Sequence, residues 1–131
     1  MSIETTRNII KQYFDSVHTD FSMMAEDVVF TNMATGDNYN GINEVSQMLI
    51  YVYKIAFDAR AETQNIIITE TNAVLEGEFV GRHIGEFAGI PPMNKIVRVP
   101  LCVVYDIEGA KIKRARIYFE MPALMAQLNQ K

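Results

Sequence analysis

The chain has 131 residues, with 12 Lys and Arg against 16 Asp and Glu for a net charge of −4; 49% of residues are hydrophobic and 21% charged. This predicts one domain over residues 1–131 that buries roughly two thirds of its unfolded surface without a staple, and Cys102, the only cysteine, can form neither a bridge nor a zinc cluster. The acidic balance argues against nucleic acid or an anionic membrane as partner. The longest strongly apolar run, residues 99–105, is far short of the ~20 residues a membrane helix needs.

The opening MSIETTRN is polar and acidic where a signal peptide is basic and then apolar, so a soluble, cytoplasmic protein is expected. Residues 3–17 then read as a helix capped by Thr5 or Thr6, with Ile9, Ile10, Tyr13, Phe14 and Val17 at helical spacing. Residues 20–25 suggest a short second helix, and the β-branched run 28–33 a strand. Two glycines among Asp37, Asn38 and Asn40 make residues 34–41 a turn or short hairpin. The longest helix is predicted over 42–57, where Val45, Met48, Leu49, Val52, Ile55 and Ala56 recur at steps of three and four.

Sheet dominates the rest. Extended runs at 60–69 and 73–87 flank a turn at 70–72, and two prolines make 89–95 a loop. Strands at 96–107 and 111–121 meet at a turn over 108–110, and residues 123–128 form a closing helical turn after Pro122. Helices followed by a long meander predict an α+β fold with helices on one face of an antiparallel sheet. On the strand 96–107 the odd positions from Val97 to Ile107 are all apolar, and Cys102 and Val104 are apolar on the other face. A strand apolar on both sides is covered on both sides. A homodimer is the simplest cover for the second face, and a C-terminal segment folded across it the alternative.

The order of elements resembles the cone of the nuclear-transport-factor-two-like superfamily. Within it, GRHIGEFAGIPPMNK at 81–95 resembles the signature of the SnoaL-like polyketide cyclases, and VYDIEGAKIKRARIYFEMPALMAQL at 104–128 resembles their last two strands and final helix. The resemblance implies a strongly curved, mostly antiparallel sheet wrapped around three N-terminal helices and enclosing an apolar pocket. It also implies a small apolar or carbonyl-bearing organic ligand. The family's cyclases close a ring by an intramolecular aldol reaction with an acidic side chain as acid/base and no metal or cofactor. Fold alone does not confer that chemistry.

His83 fills the motif's histidine position and can exchange protons near neutral pH; it can equally be a histidine hydrogen-bonded beside the GIPP loop. His18, ending the first helix, reads as a charge partner of the helix dipole. Where many family members carry His-Trp-Asp, residues 115–117 here are Ala115, Arg116 and Ile117, so the expected acid is missing. Glu120 matches a second acidic position and could act as a base if burial raised its pKa; otherwise it is a rim carboxylate paired with Arg116 or Lys131. Asn32 stands where isomerase relatives carry an aspartate, and could orient a carbonyl through its amide. Tyr13 is a candidate phenolic donor or a core tyrosine. Parity puts Glu76, Glu78 and Arg82 on the face away from the helices, where pairing with Arg98 is expected; a β-bulge would turn Glu78 inward.

The expected site is therefore His83 and Glu120 as proton-moving groups, with Tyr13, Asn32, Glu78, Cys102, Ile117 and Phe119 around the ligand. Cys102 is equally a small core hydrophobe. The function expected is a small-molecule-binding protein, with cofactor-independent cyclase or isomerase chemistry as its catalytic form. The competing reading is a non-catalytic dimeric module that uses the outer sheet face.

Overall fold

The structure is a computed structural model and describes residues 2–16 and 18–129. Helix α1 (Ile3–Asp15) is capped by Ser2, whose Oγ accepts the Thr5 N–H, not by the predicted threonines. Thr6 is fully buried and its hydroxyl donates to the Glu70 carbonyl at 2.7 Å, which fastens α1 to the far end of the sheet. Val17, expected in this helix, lies outside the described residues. In place of a second helix at 20–25 there is a turn. The Asp20 carboxylate accepts the Ser22 N–H, a local bond that competes with helix, and the chain passes directly into β1 (Met24–Asn32). A short β2 (Asn38–Asn40) follows, then α2 (Gly41–Ile50), which continues as a π-helical turn over Tyr51–Ala56.

The long strands are β3 (Phe57–Ile68), β4 (Asn72–His83), β5 (Ile96–Glu108) and β6 (Lys111–Phe119), and α3 (Met121–Leu128) closes the chain. They form one six-stranded sheet in the order β2-β1-β6-β5-β4-β3. All pairs are antiparallel except β1 with β6, so the sheet is mostly antiparallel, as expected, with one parallel pair. Two helices precede the long strands and the third follows them.

The alternation read from β5 sets the two faces of the sheet. Val97, Val99, Leu101, Val103, Tyr105 and Ile107 are all buried on the inner face against the helices, whereas Arg98 and Pro100 are exposed and Cys102 and Val104 half-buried on the outer face. Pro100 is tolerated in this central strand because β6 has ended beside it. Its carbonyl faces that side and accepts the Glu120 N–H, so no ladder donor is missing. One step earlier, the Gln127 side chain of α3 takes the place of a strand: it accepts the Arg98 N–H at 2.9 Å and donates to the Arg98 carbonyl at 2.7 Å.

Small residues on the inner face of β4 let β3 come close. The β3–β4 register slips between Thr63 and Asn65, and a Cβ at Gly77 would stand 2.0 Å from the Glu62 carbonyl oxygen. At Gly81 it would stand 2.6 Å from the Ala59 Cβ. The cavity described next sits between this face, α1 and α2.

Candidate functional site

A cavity of about 380 Å³ lies between the inner sheet face and the helices. Its inner wall is aromatic: Phe57 and Phe79 meet edge to face at 5.3 Å, Tyr53 packs on Phe79 at 5.3 Å, and Tyr105 lies between Phe30 and Tyr13. Met48, Leu49 and Val52 of α2 and Leu101, Val103, Ile117 and Phe119 of the sheet complete it. The lining residues that are exposed, Thr35, Asp37, Tyr51 and Ala88, mark the mouth. The Tyr51 hydroxyl donates to the Glu86 carbonyl and so ties the 84–95 loop to α2 beside that mouth. Among the described lining residues, Asp37 is the only one with a carboxylate and none carries a Lys or Arg charge.

The residues expected at the site divide in two. Tyr13, Asn32, Ile117 and Phe119 line the cavity. Asn32 uses its Oδ1 to accept the Ala34 N–H at 2.9 Å, which leaves its amide NH₂ as the group to present. The Tyr13 hydroxyl is buried with no hydrogen-bond partner among the described residues.

His83, Glu120, Glu78 and Cys102 are elsewhere. His83 is on the inner face, as parity predicts, but at the end of β4 beyond Phe57, on which it stacks at 5.1 Å. Its Nδ1 accepts the Met93 N–H at 3.1 Å, and its backbone bonds to Lys95 and Asn94, so it anchors the GIPP loop. Glu120 is exposed at the N-cap of α3; its carbonyl starts the helix. Arg116, one of its expected partners, is held instead by Asp106 in a two-pronged pair at 2.9 and 3.2 Å, which keeps the Asp106 carboxyl below its ordinary range. Lys131, the other, lies outside the described residues. The β3 bulge does not invert β4: Glu78 stays on the outer face and pairs with Arg98 at 3.4 Å, beside the Arg98–Glu62 bond at 3.0 Å. Cys102, opposite Glu76 and Tyr118, faces outward because its neighbours Leu101 and Val103 face in.

One residue at the cavity was read differently from the sequence. His18 is 6% exposed and lines the cavity, its ring stacked on Tyr53 at 3.8 Å and 12° and edge-on to Tyr13 at 5.3 Å. Its backbone φ of 60° is the left-handed conformation, which reverses the chain after α1 and turns the side chain inward rather than toward the helix end. Burial, helped by the nearby Lys54 charge, lowers its pKa to about 4. Burial and mutual repulsion hold the Tyr13 pKa well above its ordinary value, and Tyr53 and Tyr105 shift the same way. The inner wall is therefore uncharged at neutral pH. The only sequence signal for His18 was an aromatic-like ring five residues after Tyr13.

A mixed six-stranded sheet backed by helices on one face, with a cavity between them, is the architecture of the nuclear-transport-factor-two-like fold. The profile of the SnoaL-like polyketide cyclase family matches residues 11–128, and the chain belongs to that family. A protein assigned to the SnoaL-like polyketide cyclases from Jannaschia sp. CCS1 superposes with a TM-score of 0.87 at 16% identity, covering 98% of this chain and 94% of that one. One assigned as a polyketide cyclase from Silicibacter sp. TM1040 gives 0.85 at 17% identity, with 99% of both chains covered. A hypothetical protein with a ketosteroid isomerase-like fold from Catenulispora acidiphila, in complex with trimethylamine, gives 0.75 at 14%, with 96% and 95% covered. At these identities the likeness establishes the fold. Among curated proteins none matches the chain.

Proposed function

We propose that this chain binds a small, largely apolar, ring-bearing organic molecule inside the cavity. The observation that carries the reading is the aromatic and aliphatic wall of a 380 Å³ space, in the size range of small-ligand sites. Ile117 lines that wall where the resemblance led us to expect an acid, and it has no proton to move. Aldol ring closure by the family's usual route therefore lacks its acid, and binding is the better supported function. Proton transfer to a bound carbonyl compound would fall to the polar groups of the wall, Tyr13, His18 and Asn32, and not to His83 or Glu120. The test is a calorimetric titration with 2-naphthol. Wild type is expected to bind in the tens of micromolar, roughly −6 kcal/mol. Ile117→Trp, which pushes a second ring into the cavity, is expected to weaken binding at least tenfold. Equal affinity in the two proteins would place the probe outside the cavity and contradict the reading.

We also propose that the chain forms a homodimer through the outer sheet face. Half-buried Val74, Cys102 and Val104 form an apolar strip there, flanked by Ile67 at 55% and Tyr118 at 47% exposure, which supports a cover by a second copy. Sedimentation is expected to give twice the chain mass for wild type and the single mass for Val104→Lys. A monomeric wild type at every concentration would contradict it.

A further inference from the structure

We propose that His18 is the specificity-determining residue of the cavity, and that with Tyr13 it selects an uncharged ligand bearing a hydroxyl group, such as a phenol or enol. This rests on the cavity being a binding site and says which ligands it takes. Two polar side chains of one wall lack partners among the described residues: the Tyr13 hydroxyl and the His18 Nδ1 are both buried and unpaired. Each such group left unpaired costs about 1–3 kcal/mol, which a hydrogen-bonding ligand in the cavity would relieve. Their rings meet edge to face at 5.3 Å, which puts the two unpaired groups on adjoining side chains of that wall, where one polar group of the ligand would serve both. A hydroxyl does this because it accepts from the tyrosine O–H while donating to a neutral imidazole nitrogen.

The ring is not mere core filler. Among the described residues, His18 is the one side chain that lines both this cavity and a second recess of about 140 Å³ bounded by Phe14, Arg60, Ala61 and Thr63. It is held by the Tyr53 stack, and its left-handed backbone is a strained conformation for a residue other than glycine. Charge sets the other half of the selectivity. Around the imidazole are the Tyr13 and Tyr53 rings, Phe14 and Arg60 on the second recess, and Lys54, near enough to disfavour a second positive charge. With His18 neutral and no Lys or Arg on the wall, a carboxylate would be buried without a counter-charge, with Asp37 at the mouth opposing its entry.

The experiment compares 2-naphthol, 2-methoxynaphthalene and 2-naphthoate by calorimetry. Wild type is expected to bind 2-naphthol about tenfold more tightly than the methyl ether, the size of one net hydrogen bond, and to show no binding of the carboxylate. His18→Phe keeps a ring to stack on Tyr53 and removes both nitrogens; it is expected to bring 2-naphthol down to the affinity of the ether and leave the ether unchanged. A measurement on wild type covers the case in which that variant does not fold. The chain has two histidines, so imidazole nitrogen resonances are few, and saturating 2-naphthol is expected to move those of His18 and not those of His83. Equal affinity for 2-naphthol and the ether, tight binding of 2-naphthoate, or an unmoved His18 signal would overturn the inference and leave the binding site standing. Failure of every naphthalene to bind would overturn the binding site and the inference together.

Discussion

Between pH 6.5 and pH 4 the folded chain is expected to lose about 3 kcal/mol of stability through His18 alone. The imidazole has an ordinary pKa of 6.5 and a folded-state value of about 4, lowered first by burial and then by the Lys54 charge. Because the folded-state value is the lower one, the unfolded chain takes up the proton first. The contribution is complete above pH 6.5, shrinks as pH falls, and is gone near pH 4. At about 1.4 kcal/mol per pH unit, the gap between 6.5 and about 4 sets a ceiling of about 3.5 kcal/mol, of which about 3 is lost by pH 4, where the folded-state group is half protonated. Carboxylates act in a lower window. Asp106 and Glu62 are held below their ordinary values of 3.8 and 4.5 by Arg116 and Arg98, so their contributions persist down to those values and are lost beneath them. Urea unfolding at pH 7.0, 5.5 and 4.5 checks this: wild type should weaken steadily over the series, and His18→Asn, which tolerates the left-handed backbone, should weaken far less. Parallel slopes in the two proteins would mean that His18 is not buried as described.

Gly77→Ala is expected to cost about 3 kcal/mol, the upper part of the range for forcing an extra group into a packed interior. The new methyl carbon would stand 2.0 Å from the Glu62 carbonyl oxygen and 3.0 Å from its carbon. Those are backbone atoms of β3, so relief requires the strand itself to move away at the bulge. Gly89→Ala is the control. That residue has φ of 78° but open space around it, so its substitution carries only the conformational penalty of about 1 kcal/mol. Denaturant midpoints with unchanged slopes measure both. If the two variants are equally stable, β3 does not lie as close to β4 as described here.

The same contrast between local and distant causes explains what could be read from the sequence. The inward face of β5 was legible because period-two alternation is local: Val97 to Ile107 had to share a side, and the 42–57 helix was equally plain from its spacing. That rule also fixes Cys102 outward between Leu101 and Val103, so its inclusion among ligand-facing residues ran against a signal the sequence held. Which inward residues meet the cavity is a different matter. His83 and Phe79 share a face of β4, yet Phe79 lines the space and His83 lies beyond Phe57 under the GIPP loop. Only the three-dimensional stacking of α2 and that loop separates them. His18 was hidden for a backbone reason: a residue after a helix end normally points to solvent, and nothing in the one-dimensional pattern marks the left-handed turn that brings this one inside. The Asp20–Ser22 bond that replaces the expected short helix with a turn is local, a side-chain-to-backbone bond that Asp makes in turns.

Whether the cavity is the binding site is measured most directly by the position of bound 2-naphthol, from contacts between its ring protons and the protein by nuclear Overhauser effects. Contacts to Phe79, Tyr105, Ile117 and His18, all lining the cavity, are the result expected. Contacts to Val104 and Tyr118 on the outer sheet, with none to the cavity wall, would contradict binding in the cavity and assign the binding surface to the other face.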